Sequence, residues 1–259
     1  MPFKPISLFL LAALGACNTG TPAANGNNSV TNMNKGIGSK AAIVGDILLP
    51  SGYHRIPLRS NHFGTYLRNI SLNEDATVYL YNGEKKLNQQ AQYAVLDISV
   101  GNTNLQQCAD AVMRLRAEFL FEQKRFNEIK FTDNAQTLYA FEPPFTRKNL
   151  NIFLRKVFGM CGTASLAKQL KRKSIDAITS GDVLIRGGFP GHAVLVMDVA
   201  TNHDGKKIFL LAQSYMPAQQ IHILKNPQNE KTPWYLLNDA EIIMTPEYHF
   251  KNTELKGWE

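Results

Sequence analysis

Residues 190–221 read PGHAVLVMDVATNHDGKKIFLLAQSYMPAQQI. From His192 to Val199 the chain is apolar apart from Asp198, a short run bounded by turn residues. Such a run reads as a buried strand. His203-Asp204-Gly205 turns the chain. Residues 208–213 return as a second apolar strand, which ends in the polar run Gln213-Ser214-Tyr215 and is stopped by Met216-Pro217. Two strands joined by so short a turn pair antiparallel.

Working outward, Asp182 to Ile185 reads as a strand. Gly187-Gly188-Phe189-Pro190-Gly191 is a tight loop before His192. Ile221 to Leu224 reads as a further strand. Beyond it, Pro227, Pro233 and Pro246 punctuate an irregular tail carrying Trp234 and Tyr235. Upstream, 41–100 reads mostly as strands and turns. Thr77 to Tyr81 precedes the turn dipeptide Asn82-Gly83, and Tyr93 to Val100 forms another strand. A helix is expected from an N-cap at Thr103. Leu105, Cys108, Ala109, Val112, Leu115 and Phe119 form its apolar face. Cys108 then lies on the buried side, about one turn into the helix. Asp110, Arg114 and Glu118 are spaced for a ladder of ion pairs. After Pro143-Pro144 comes a basic amphipathic helix that Gly159 closes. Cys161-Gly162-Thr163 leads into a short helix over 164–171. These elements make an α+β fold, with helices packed on a mainly antiparallel sheet.

The first sixteen residues stand apart. Lys4 precedes the apolar segment Ser7 to Leu14, and Leu14-Gly15-Ala16-Cys17 follows. Small residues before a cysteine match a bacterial lipobox, which implies a signal peptide over 1–16 and an acylated Cys17. The competing reading is a secreted protein cut by the ordinary peptidase. Asn18 is not an aspartate retention signal, which leaves the outer membrane open as a destination. Residues 17–40 are rich in Asn, Gly, Thr, Ser and Ala and read as a flexible tether. Residues 41–259 then form a single globular domain, large enough to need no disulfides.

The net charge is +7. Basic clusters at 147–156 and 168–173 suit anionic headgroups or envelope polymers such as peptidoglycan, and each also reads as a solvated helix face. Nucleic acid is not expected, since stacking aromatics do not interleave with the basic residues. No metal motif or phosphate loop appears. His192 and Asp198 share a strand face at even spacing, but no His-x-x-x-His or Cys-x-x-Cys accompanies them. No cofactor is implied.

With Cys17 acylated, Cys108 and Cys161 remain. In an oxidising compartment they could form a disulfide. The other reading is catalytic. A cysteine near a helix start, then a strand-opening histidine, then a polar side chain on the neighbouring strand is the order of parts in papain-like amidases. Cys108 would be the nucleophile, activated by a helix N-terminus or a neighbouring imidazole. His192 would shuttle the proton and Gln213 would hold the ring. Gln106 or Gln107 could donate to an oxyanion. Cys161, 31 residues before His192 and also preceding a helix, is the rival nucleophile. Packing explains Cys108 on an apolar face equally well.

Several longer motifs are similar to an uncharacterised bacterial lipoprotein family, domain of unknown function 4846. They are Gln107-Cys108-Ala109-Asp110-Ala111, Arg114-Leu115-Arg116-Ala117-Glu118, Gly191-His192-Ala193-Val194, the run Ala212 to Gln219, and Thr245-Pro246-Glu247. The resemblance implies export and one domain, and brings no activity. The Gly-Asp…Gly-His-Ala-Val-Leu-Val pattern also resembles, locally, cell-wall amidases of the NlpC/P60 and CHAP kind. Two functions stand at this point. One is a membrane-anchored thiol hydrolase of amide bonds in the bacterial envelope. The other is a non-catalytic envelope binding or maintenance lipoprotein with an inactive papain-like shell.

Overall fold

The computed structural model describes residues 41–258. The expected signal peptide, the lipidated Cys17 and the tether up to residue 40 lie outside the described residues. Along the chain the elements are β1 (His54–Arg55), α1 (Phe63–Arg68), β2 (Gln92–Val95), α2 (Cys108–Glu122), β3 (Lys130–Thr132), β4 (Leu138–Ala140), α3 (Arg147–Met160), α4 (Thr163–Gln169), β5 (Lys171–Arg172), β6 (Val183–Arg186), β7 (His192–Thr201), β8 (Lys207–Gln213), β9 (His222–Leu224), β10 (Tyr235–Leu236), β11 (Ile242–Met244), β12 (His249–Lys251) and β13 (Leu255–Gly257).

The strands His192–Thr201 and Lys207–Gln213 pair antiparallel at the centre of the main sheet. That sheet runs β2-β9-β8-β7-β6-β13-β5, with β1 also on β7 and β10 on β8. Its pairings are antiparallel, so the fold is α+β with a mainly antiparallel sheet. Every residue of β7 but Thr201 is buried. The reason is that both faces are covered, which also explains the unbroken apolar run. Ala193, Leu195 and Met197 pack with Val112, Leu115, Phe119, Leu154 and Leu166 on the helical side. Val194, Val196 and Val199 pack with Phe209, Leu211, Tyr235, Phe250 and Leu255 on the other. Each of the Val, Leu, Met and Phe side chains contributes about 1.5–3 kcal/mol on full burial.

Several expectations are corrected. Helix α2 begins at Cys108, not near Thr103. The Asp110 carboxylate accepts the Gln107 backbone N–H at 2.9 Å, and Asn104 Oδ1 accepts from Ala218 N at 2.8 Å. These bonds hold the preceding turn out of the helix. Cys108 is therefore the first helical residue. Asp110, committed to that cap and buried, does not join the expected ladder. Only Arg114–Glu118 forms, at 2.8 Å. Thr77 to Tyr81 makes isolated bridges from Tyr79 and Leu80 rather than a strand. Against the reading of 41–100 as mostly strands and turns, Phe63–Arg68 forms α1, capped by His62 Nδ1, which accepts from Gly64 N at 2.9 Å. The basic helix passes Gly159 and ends at Met160. The tail is not irregular: Leu255–Gly257 inserts between β6 and β5.

One correction concerns chemistry. The β7–β8 register shifts between Val196 and Asp198. The extra residue, Met197, forms a bulge and breaks the even-spacing rule. Asp198 pairs across from Leu210, on the helical side, whereas His192 keeps to the side of Val194. The two residues do not share a face. Asp198 is fully buried and bound by Arg55 Nε at 2.8 Å and Arg68 Nε at 2.7 Å. It also accepts the Val199 N–H at 2.8 Å. Asp198→Asn would leave two guanidiniums without their counter-charge. It should cost about 3–5 kcal/mol in urea unfolding. A loss below about 1 kcal/mol would mean that the arginines are hydrated rather than held by the carboxylate.

Candidate functional site: a buried histidine–glutamine–glutamate chain

The antiparallel register sets His192, at the start of β7, near Gln213, at the end of β8. His192 Nε2 lies 2.8 Å from Gln213 Oε1. Which way the amide points is decided by its other partner. Gln213 Nε2 donates to Glu247 Oε2 at 2.7 Å, and a carboxylate can only accept. Gln213 Oε1 therefore faces His192 and must receive a proton from it. This fixes the Nε2–H tautomer and leaves the Nδ1 lone pair as the basic site. Nδ1 has no hydrogen-bond partner among the described residues. Glu247 is itself held by Lys86 Nζ and by Asn88 Nδ2 at 3.1 Å. Gln213 Nε2 is also 3.4 Å from His222 Nε2, while His222 Nδ1 donates to the Gln220 carbonyl at 2.9 Å.

Rings enclose His192. Tyr215 meets it edge-on with centroids 4.7 Å apart, Tyr248 lies at 5.0 Å and Phe250 at 5.8 Å. Burial dominates and lowers its pKa to about 4, against the smaller raising effects of Gln213 and Glu247. Burial also lowers His222 to about 4. Both imidazoles are neutral at pH 7.

Cys108 reaches the same corner from α2. Backbone N–H groups of Ala109, Ala193 and Cys108 itself are directed at its sulfur. Ala193 follows His192 directly, so the thiol sits against the start of β7. Ser214 pins this arrangement. Its hydroxyl lies 2.9 Å from the Gln106 carbonyl and 2.8 Å from that of Gln219. No hydrogen bond joins Cys108 to His192 among the described residues. Burial pushes the thiol up to about 11, and Asp110 adds to this against the three amides. Sequence reasoning looks for an acidified thiol at a helix start; here dehydration outweighs the helix. Asp110 is itself raised to about 8 by burial, and its Oδ1 is enclosed without a partner.

Cys161 caps the C-terminal end of α3. It is a free thiol, as is Cys108, so no disulfide joins them. Burial pushes Cys161 up to about 11 as well, with Asp133 and Asp110 adding to it. Thr163, two residues on, approaches the strand start. A Cβ on Gly191 would fall 2.3 Å from Thr163 Oγ1, so only glycine fits before His192.

The expected oxyanion donors are occupied. Gln106 Oε1 accepts from Arg114 and its Nε2 points to the Gln219 carbonyl at 3.4 Å. Gln107 Nε2 points to Asn104 Oδ1 at 3.4 Å. Sequence reasoning singled out Cys108, His192 and Gln213 and gave no role to Glu247, Lys86 or His222. The motif Thr245-Pro246-Glu247 was the one available hint. Among the described residues no cluster of His, Cys, Asp and Glu suits a metal ion.

No curated protein and no solved structure matches the chain. A family model described as domain of unknown function (4846) matches residues 43–142 and 132–257, and the chain belongs to that family.

Proposed function

We propose that this chain is a lipid-anchored envelope protein that hydrolyses amide bonds through Cys108 and His192, with peptidoglycan stem peptides as its substrate class. One observation carries the reading: the Glu247–Gln213–His192 chain fixes the imidazole as Nε2–H. Nδ1 is left as the acceptor nitrogen of a histidine that opens the strand whose next residue, Ala193, turns its N–H to the helix-start thiol of Cys108. Buried packing needs no such tautomer control, whereas a general base does.

In the reaction, Cys108 passes its proton to His192 Nδ1 and the sulfur attacks the amide carbon. The N–H groups of Cys108 and Ala109 take the charge on the carbonyl oxygen. As the C–N bond breaks, the imidazolium returns the proton to the leaving amine and a thioester remains. Water then attacks the thioester, giving its proton to Nδ1. The products are a carboxylic acid and the restored thiol. Apo geometry in such sites is often loose and tightens with substrate.

A second reading, a non-catalytic envelope-binding lipoprotein with an inactive shell, is favoured by the buried, unpaired thiol. Purified protein incubated with muropeptides separates the two. Under the hydrolase reading mass spectrometry finds new free amines and carboxyls, and an acyl adduct on Cys108. Cys108→Ala abolishes turnover, Cys161→Ala keeps it, and Gln213→Ala lowers kcat by about 10²-fold or more through loss of the tautomer. Turnover that survives in Cys108→Ala and dies in Cys161→Ala moves the nucleophile to Cys161. Absence of turnover in every protein leaves the binding reading.

Iodoacetamide labelling of the free protein reads the acidity directly. The thiolate fraction of a group with a pKa near 11 grows tenfold per pH unit up to that value. Labelling of Cys108 should therefore be slow at pH 7 and still climbing at pH 9–10. A plateau near pH 7 would show a preformed ion pair with His192.

The anchor rests on Leu14-Gly15-Ala16-Cys17. Intact-mass analysis of membrane-extracted protein should find residues 1–16 removed and Cys17 acylated, with palmitate among the chains. A mature chain with an unmodified Cys17 would end this part of the proposal.

A further inference from the structure

Two turns along α2 from Cys108, about 12 Å by helical rise, Arg116 occupies an unusual position. Its guanidinium lies 5.3 Å from the centroid of Phe63, 5.4 Å from Phe119 and 5.2 Å from Trp258. It has no hydrogen bond and no ion pair among the described residues. Five N–H donors are thus held against three rings, half-buried, with no acceptor. The cation–π contacts stabilise the charge but supply no acceptor, so its N–H donors are left to the solvent of the cleft. Burial accordingly lowers the Arg116 pKa to about 10. Trp258 repeats the pattern, since its indole Nε1 is enclosed without a partner.

Both side chains line a cleft of about 270 Å³ and another of about 390 Å³ beside it. The smaller one is strongly polar. Lys173 and Arg125 also line it, but Lys173 is neutralised by Asp182 at 2.6 Å and Arg125 by Glu128 at 2.5 Å. Asp182 itself lines the cleft, and its Oδ2 is taken by Lys173 and the Thr179 N–H. One positive charge, that of Arg116, is left over. Asn61 adds a neutral donor from a further segment, whereas the Ser180 hydroxyl is turned to Asp198 Oδ1 at 3.4 Å.

We propose that this cleft binds a phosphate group, with Arg116 and the Trp258 indole N–H as its principal donors. Donors from α2, from 61–62 and from Trp258 suit a tetrahedral anion with several oxygens. A planar carboxylate would satisfy fewer of them. Arginine is the side chain whose fork matches phosphate. The phosphate can belong to a soluble ester or to a lipid headgroup, and the test separates them. The site is independent of the Cys108 reading.

The chain has two tryptophans, and Trp234 is buried with its Nε1 committed to the Leu48 carbonyl at 2.9 Å. A change in emission on binding therefore reports Trp258. Titrating the full chain with inorganic phosphate should change emission saturably, with a Kd of about 1 mM or tighter, and raise Tm. Chloride at equal ionic strength should do neither. Trp258→Phe should remove the optical signal and weaken the Tm response. Arg116→Met should abolish both. Should Arg116→Met fail to fold, Arg116→Lys keeps the charge and loses the fork, and should weaken binding about tenfold or more. Absence of a saturable response in the native chain, an equal response to chloride, or native-like binding by both Arg116 variants would overturn the proposal. Vesicles of phosphatidylglycerol, set against phosphatidylcholine, identify the source. Arg116-dependent retention on the anionic vesicles, relieved by phosphate, assigns a lipid headgroup. Phosphate binding without such retention assigns a soluble ester. Either result upholds the site.

Discussion

Gln213 can place its amide only one way between Glu247 and His192, and the site end of the sheet is built around that constraint. A carboxylate accepts from both Gln213 and Lys86. It therefore ties β8 to the turn before β12 and to the segment before β2. The same amide receives the His192 proton and reaches His222 on β9. Reversing the amide would set Oε1 against a carboxylate and Nε2 against an imidazole N–H. In a buried network each reversed contact costs more than the original gained. The cluster therefore specifies one arrangement of three adjacent strands and one hairpin.

The two ends of β7 balance buried polarity differently. At the Asp198 end a formal charge sits fully enclosed and two guanidiniums answer it. At the His192 end the carboxylate and the ammonium are set back at Glu247 and Lys86, and the groups nearest the strand are neutral. Met197, the bulge residue, lets both coexist in one strand. Without it Asp198 would point to the side of Phe209 and Phe250, where neither arginine is available.

Legibility in the sequence follows the range of the interactions. The β7–β8 pair, the helix carrying Cys108, and the juxtaposition of His192 with Gln213 come from local apolar runs and one short turn. These are what periodicity reports. Glu247 and Lys86 join the site across 161 residues; the motif Thr245-Pro246-Glu247 hints at the first, and nothing near Lys86 marks the second. The start of α2 was misplaced because Thr103 is a good cap by type, whereas the bond that defines the start comes from Asp110. The bulge at Met197 leaves no trace in an apolar run buried on both faces. Leu255–Gly257 is too short to show alternation, and its place between β6 and β5 is set by tertiary pairing. Arg116 lay within a quoted motif, but its rings come from α1, from α2 itself and from Trp258.

Dehydration alone shifts the thiol and the imidazole in opposite directions. Each shift disfavours a single charge in a dry corner. Neither measures the pair, because a thiolate and an imidazolium in contact attract by about 4 kcal/mol at 4 Å and an effective dielectric constant of 20. With the groups apart, the neutral form is the stable one; brought together, each offsets part of the other's penalty. Tyr215 is placed to influence that approach. It packs edge-on against His192 at 4.7 Å, lies near enough to Cys108 that a thiolate there would raise its pKa, and is followed by exposed Met216 and Pro217. Under the proposed hydrolysis, a substrate chain that displaced this ring would bring its amide to the sulfur. The burial that silences the free thiol would then become the low-dielectric setting in which the aligned amides at the start of α2 act most strongly.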